Sequence, residues 1–169
     1  MGIKKTSETI AVSFDVAEGA PNVFAQEQIN LTLDVLNNEV FVVLAVDLDP
    51  TAPSAIIGTN TQTQMSLTTS TQTAPQLLSN SNCMAEERLN IRTDAASVTE
   101  GILFRSSNGS TPPSTLDRLG IIATNDFFVQ IQGSNNLVAQ TGSGRLWGYR
   151  AKADSATYAA LVQSEVLSS

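Results

Sequence analysis

The chain has 169 residues, 41% hydrophobic and 15% charged, with no His, one Cys and a formal net charge of -7. Without His, Ser-His-Asp and Cys-His nucleophilic catalysis and any His general base are excluded, as are zinc and iron-sulfur sites. The acidic balance leaves no basic groove for direct nucleic-acid binding.

That length implies one domain, large enough to fold without a disulfide or metal. Uncharged polar residues take the place of charge: 18 Ser, 18 Thr, 12 Asn and 10 Gln, about a third of the chain. Lys occurs only at Lys4, Lys5 and Lys152. The near-normal apolar fraction argues against a disordered chain.

Residues 1–8 read as a flexible N-terminal arm. No apolar segment follows Lys4 and Lys5, so a secretory signal is not expected, and no apolar run approaches a membrane span. Met1, Gly2 and Thr6 fit the loose myristoylation pattern, and Asn30-Leu31-Thr32 and Asn108-Gly109-Ser110 fit the glycosylation acceptor; chance accounts for all three.

A β-sandwich domain is expected over residues 9–153. Period-two alternation predicts a strand over 9–16, with Ile10, Val12, Phe14 and Val16 on one face, and a second over 28–35, with Ile29, Leu31, Leu33 and Val35 together. Residues 18–22 between them are a turn, and Asn37-Asn38 is a tight connection. Residues 39–48 are apolar on both faces, which predicts a central strand covered on both sides. The Thr/Gln-rich stretch 59–73 is compatible with a strand. Its Thr61, Gln62, Thr63 and Gln64 are candidates for an exposed polar strand that pairs with a neighbouring subunit; an ordinary solvent-facing strand or loop is the alternative.

Strands follow over 86–93 and 99–105, joined by a hairpin turn at 94–97. Residues 106–115 read as a loop. Short strands are expected at 119–123 and 127–132, turns at 133–136 and 142–144, and a last strand at 145–152. Trp147, Tyr149 and Arg150 on that strand are the most concentrated interface-type residues, to be weighed against Trp147 packing in the core. Helical spacing of Ala156, Ala159, Ala160, Val162 and Val166 predicts a C-terminal helix in 154–169, with Asp154 or Ser155 as its cap and an extended arm as the alternative.

No catalytic constellation emerges. Glu86 and Glu87 are adjacent and so point to opposite faces of a strand. Asp47 and Asp49 share a face; solvated loop acids, a glycosidase pair and a calcium site all remain open for them. Gly142-Ser143-Gly144-Arg145 lacks a phosphate loop's Lys-Ser/Thr. Cys83 has no His partner and reads as an incidental small residue. Neither a cofactor nor a catalytic or metal site is expected.

Eight or more short strands with recurrent turns define an all-β class: an antiparallel, jelly-roll-like sandwich with a short C-terminal helix. The strand series beginning at Ile10, Ile29, Val40, Met65, Leu89, Ile102, Phe127 and Leu146 resembles the small single-jelly-roll capsid proteins of tailless icosahedral DNA viruses. The resemblance implies a virion protein, made in the host cytoplasm, that self-assembles into capsomers and a shell. Its partners would be copies of itself and other capsid proteins, with contact to an internal viral membrane within the family's range. A non-catalytic binding module (a phage decoration or receptor-binding protein, or a carbohydrate-binding domain) is the alternative. A carboxylate-only β-sandwich enzyme ranks last.

Overall fold

The structure is a computed structural model that describes residues 2–93, 104–109 and 115–167, with only the strand path considered for 104–109. Its strands are β1 (Ile3–Lys5), β2 (Ile10–Ala17), β3 (Ala25–Asn30), β4 (Glu39–Pro50), β5 (Thr61–Thr68), β6 (Cys83–Arg92), β7 (Phe104–Gly109), β8 (Gly120–Ile122), β9 (Asp126–Ser134) and β10 (Thr141–Ala153). One helix, α1 (Ser155–Leu167), closes the chain, and a short 3-10 turn covers Val35–Asn37.

In the first sheet β10 lies between β4 and an outer edge shared by β1 and β2, and β8 lies beyond β4. The second runs β3-β9-β5-β6-β7. Every pairing is antiparallel. From β2 onward the chain changes sheet at each connection except β5 to β6 to β7. Sheets ordered β2-β10-β4-β8 and β3-β9-β5-β6 are those of a jelly roll, with β7 added at the edge of the second.

The alternation read in the sequence places the core. Phe14, Val16, Phe41, Val43 and Leu146 of the first sheet meet Met65, Leu67, Phe127, Val129 and Ile131 of the second. Phe14 and Phe127 pack edge to face with centroids 5.7 Å apart. A second cluster lies outside the first sheet, where Val40, Val42, Ala151 and Ala153 are covered by Tyr158, Leu161 and Val162 of α1. The apolar run of β4 is thus buried on both faces over Val40–Val43 only. Beyond it, Trp147 pairs with Ala45 and Gly148 with Val43, so Leu44 is a bulge residue. One extra residue flips the face, and Val46 and Leu48 replace Phe41 and Val43 as the inward side chains. Gly148 sits opposite this bulge, where a Cβ would overlap the Val42 carbonyl oxygen and the Phe41 ring.

Several expectations are corrected. The strand predicted over 28–35 is β3, which ends at Asn30. Thr32 has φ 51°, outside the extended region. The Asn30 side-chain oxygen accepts the Thr32 N–H at 2.8 Å, an Asx turn that stops the ladder. Leu31 and Leu33 stay buried, but Val35 is exposed. Residues 1–8 are not a free arm: Ile3–Lys5 pairs with Lys5↔Ala151 through Ile3↔Ala153 on β10, and Thr6 N–H donates to the Arg150 carbonyl at 2.9 Å.

Residues 106–109, expected in a loop, continue the predicted strand as part of β7, while the predicted hairpin at 94–97, Ile102 and Pro112-Pro113 lie outside the described residues. Gly142–Gly144 is not a turn but the start of β10. A Cβ at Gly144 would stand 2.5 Å from the Phe14 ring, so this stretch is glycine because two strands and a ring converge there. In α1 the buried face is Tyr158, Leu161, Val162 and Glu165, and Ala156, Ala159, Ala160 and Val166 are exposed. The helix docks through its larger side chains and one carboxylate, not through the alanine stripe.

Candidate functional site

The seven candidate positions from the two strands do not form one surface. β5 has no free edge, because β6 and β9 flank it on either side. Thr61 and Thr63 share the inward face with Met65 and Leu67 and are buried; the Thr61 hydroxyl donates to the Ser54 carbonyl at 2.6 Å. An exposed, pairing-competent Thr/Gln strand is therefore overturned. Gln62 and Gln64 do point outward, half-buried, in rows with Ser134 and Asn90 and with Gln132 and Arg88. Around these positions the outer face of the second sheet is thus amide-rich.

On β10 the three candidates separate. Arg150 points to the sandwich side: its Nη1 donates to Glu39 Oε1 at 2.6 Å and its Nη2 to the Leu31 carbonyl at 2.7 Å. It is a brace for the turn after β3, where Thr32 holds its left-handed backbone. Tyr149 packs beneath α1, with Lys5 Nζ 4.8 Å from its ring centre. Trp147 belongs to neither buried cluster. It lies half-exposed on the uncovered outer face of the first sheet, between Ala11 and Ala45, with the Arg145 guanidinium 5.9 Å from its ring. Core packing of Trp147 is thereby excluded.

The same face carries Ser13, Asp15, Asp47, Asp49, Ser143 and Arg145. Ser13, Asp47, Asp49, Ser143, Arg145 and Trp147 line a shallow hollow of about 300 Å³. Asp47 and Asp49 are on a strand, not in a loop. Among the described residues no three carboxylate or thiol groups converge as metal ligands. Glu86 is buried and lies 3.3 Å from Arg88, its neighbour along the same strand face. Cys83 is buried at the start of β6, and burial pushes its thiol up to about 11.

A third surface was not legible in the alternation of strands. The loops 18–24, 51–60 and 135–140 meet at one end of the sandwich. Asn136 holds them together: its N–H donates to Asn22 Oδ1 at 2.8 Å, its Nδ2 to the Gln62 carbonyl at 2.9 Å, and its Oδ1 accepts the Ser54 N–H at 2.8 Å. Buried Glu18 adds two bonds, accepting the Gly133 N–H at 2.9 Å and the Gln140 N–H at 2.7 Å. On this braced base Val23, Ile57, Leu137 and Val138 are 50, 45, 74 and 61% exposed. No charged residue occurs in 19–24, 51–60 or 133–142. The sequence signal for this surface is apolar residues inside long uncharged turns, which period-two reading passes over.

No family model matches the chain, and no curated protein matches it. Among solved structures, a chain of Desmodium yellow mottle tymovirus aligns over 84% of this chain and 87% of its own, at 12% identity and a TM-score of 0.34. The jelly-roll assignment rests on strand order, not on that likeness. No described helix is long and apolar enough to cross a membrane.

Proposed function

We propose that the chain is a structural virion protein, a capsid subunit that assembles with copies of itself into capsomers and an icosahedral shell and performs no catalysis. Its location would be the virion, and its partners other copies and companion capsid proteins. Fold alone does not decide this, because jelly rolls serve capsids and lectins alike.

The observation that carries the reading is the braced apolar end. A monomer gains nothing by holding Val23, Ile57, Leu137 and Val138 in water on loops fixed by side-chain hydrogen bonds. A neighbour that covers them gains roughly 1 kcal/mol for each half-exposed side chain. Because the loops are already ordered, little further entropy is lost on association. The amide-rich outer face of the second sheet, where Arg88 is paired with Glu86, adds area with few long charged side chains to immobilise.

One observation favours the binding-module alternative, the shallow hollow of about 300 Å³ beside Trp147. Light scattering with size-exclusion chromatography, followed by electron microscopy, separates the two. The expected result is rings or shells from the wild-type chain and a folded monomer from the Leu137→Asp, Val138→Asp variant. A wild-type chain that stays monomeric at every concentration and binds a glycan on an array would overturn the capsid reading.

A further inference from the structure

The two ends of the first sheet differ in net charge: at one, Glu39 opposite Lys152 is taken up by Arg150 and Asp154 caps α1, and at the other Arg145 offsets one of three aspartates. All three lysines of the chain lie at one end, exposed, where β1 pairs with β10. Lys4 stands directly opposite Lys152, and Lys5, next on this edge strand, leaves by the other face toward Tyr149. Neither Lys4 nor Lys152 forms an ion pair among the described residues. At the other end Asp15 and Asp49 flank Ser143 from either side, and Asp47 stands opposite Arg145. All three aspartates are exposed, and Asp47 and Asp49 line the hollow next to Trp147.

Like charges set directly opposite on paired strands, as Lys4 and Lys152 are, are unfavourable, and at the other end one arginine faces three aspartates. The two groups cannot relieve each other within one molecule. From Ser143 to Lys152 the strand runs nine residues, about 30 Å at ~3.3 Å per residue, against a screening length of about 8 Å at physiological salt. Only a second molecule can bring them together.

We infer that they are the two halves of one contact, in which the lysine end of one copy seats on the aspartate face of the next. Lys4, Lys5 and Lys152 would meet Asp15, Asp47 and Asp49, with the Trp147 ring offering its face to an ammonium group. The contact is heterologous: one patch of each copy meets a different patch of its neighbour, so it propagates in one sense and gives a ring when its rotation closes. The inference rests on the self-assembly reading and assigns it a direction that the apolar loop end does not.

Charge reversal on the full chain tests it. The Asp47→Lys, Asp49→Lys chain carries two basic patches, and the Lys4→Glu, Lys152→Glu chain two acidic ones. Each alone should need at least tenfold more protein to assemble than wild type, by light scattering. Mixed in equal amounts, each supplies the patch the other lacks, and assembly should return to within about threefold of wild type. Thermal melting establishes that both variants fold, as substitutions of exposed side chains should. If either chain melts early, Asp47→Asn, Asp49→Asn is read in its place and should weaken assembly in the same sense. If the variants assemble as wild type does, or if the mixture fails to recover, the head-to-tail contact is wrong while self-assembly stands. A wild-type chain that never assembles removes the capsid reading and this inference with it.

Discussion

Glu165 is expected to hold α1 onto the sandwich, and its removal should cost the fold about 3 kcal/mol. The side chain is 8% exposed. Its Oε1 accepts the Ala123 N–H at 2.7 Å, and its Oε2 accepts the Thr124 N–H at 3.1 Å and the Thr124 hydroxyl at 2.7 Å. A hydrogen bond to a charged acceptor contributes about 1.5–3 kcal/mol, and a buried donor left without a partner costs ~1–3 kcal/mol. Ala123 is fully buried, so in Glu165→Ala its N–H finds no water, whereas Thr124 is half-exposed and recovers most of its loss. The Ala123 bond alone then accounts for about 2 kcal/mol, and the two weakened Thr124 bonds for roughly 1 more.

The helix is otherwise held by Tyr158, Leu161 and Val162, which are only partly buried, and by Asn82 Nδ2 donating to the Glu165 carbonyl at 3.1 Å. Undocking would bare Val40, Val42, Ala151 and Ala153. Urea unfolding measures the loss, and hydrogen exchange localises it: 3 kcal/mol corresponds to roughly 150-fold faster exchange at about 1.4 kcal/mol per tenfold. Glu165→Gln should lose less, because one carbonyl oxygen still accepts. A Glu165→Ala chain within about 0.5 kcal/mol of wild type, the usual range for surface substitutions, with protected helix amides, would refute the clamp.

Three further outcomes are expected. Gly148→Ala forces a methyl group against backbone at the bulge and should lower Tm by roughly 2–12 °C, from an overpacking cost of ~1–3 kcal/mol; an unchanged melting curve would remove the close-approach argument. The Thr157 backbone N–H, 2.8 Å from Asp154 Oδ1, holds that carboxyl below its ordinary value. A depressed folded pKa contributes stability above the unfolded value near ~3.9 that is lost as the pH falls through the folded one. Asp154→Ala should therefore destabilise α1 at neutral pH, and the gap to wild type should narrow in acid; a gap independent of pH would show that the cap's charge is idle. At about 11 the Cys83 thiol is almost wholly protonated at neutral pH, so its reaction with a disulfide reagent should be roughly a hundredfold slower than that of a free cysteine of pKa near ~8.5; labelling at the free-thiol rate would mean that the site is open.

The layers of this fold were legible because alternation survives wherever one face is buried. Phe14, Val16, Leu89, Ile91, Phe127, Val129 and Ile131 all fall inward as their spacing implies. What escaped the pattern is local. The Leu44 bulge reverses which residues of β4 face the core, and nothing in a run of Val and Leu marks where an extra residue sits. Thr32 ends β3 through a backbone turn and an arginine brace from 118 residues away along the chain. The glycines of β10 look like a turn, yet they answer close approaches that exist only after the sheets pair. Of the interface candidates, Trp147, Gln62 and Gln64 face outward, whereas Arg150, Thr61 and Thr63 are taken up by the fold. One strand can serve both roles, since alternate side chains leave it in opposite directions.

The uncharged polar residues divide in the same way. On the outer face of the second sheet, beneath the loop 69–82, the Ser66 hydroxyl donates to Gln130 Oε1 at 2.7 Å, and Gln130 Nε2 donates to Gln26 Oε1 at 2.9 Å and to Thr68 Oγ1 at 2.7 Å. Gln26 and Ser66 in turn accept backbone N–H groups of Gln72 and Gln76 from the covering loop. Asn22, Ser54 and Asn136 make the equivalent connections at the apolar end. A chain with few charges pins its long loops with amides and hydroxyls, which bond to backbone in either sense and need no counter-ion. Much of the Thr, Ser, Asn and Gln content is therefore internal bracing, and its consequence outside is rigid loops with apolar tips. Few charges remain, and the two ends of the first sheet differ in net sign, so apolar burial can supply the strength of association and charge its direction.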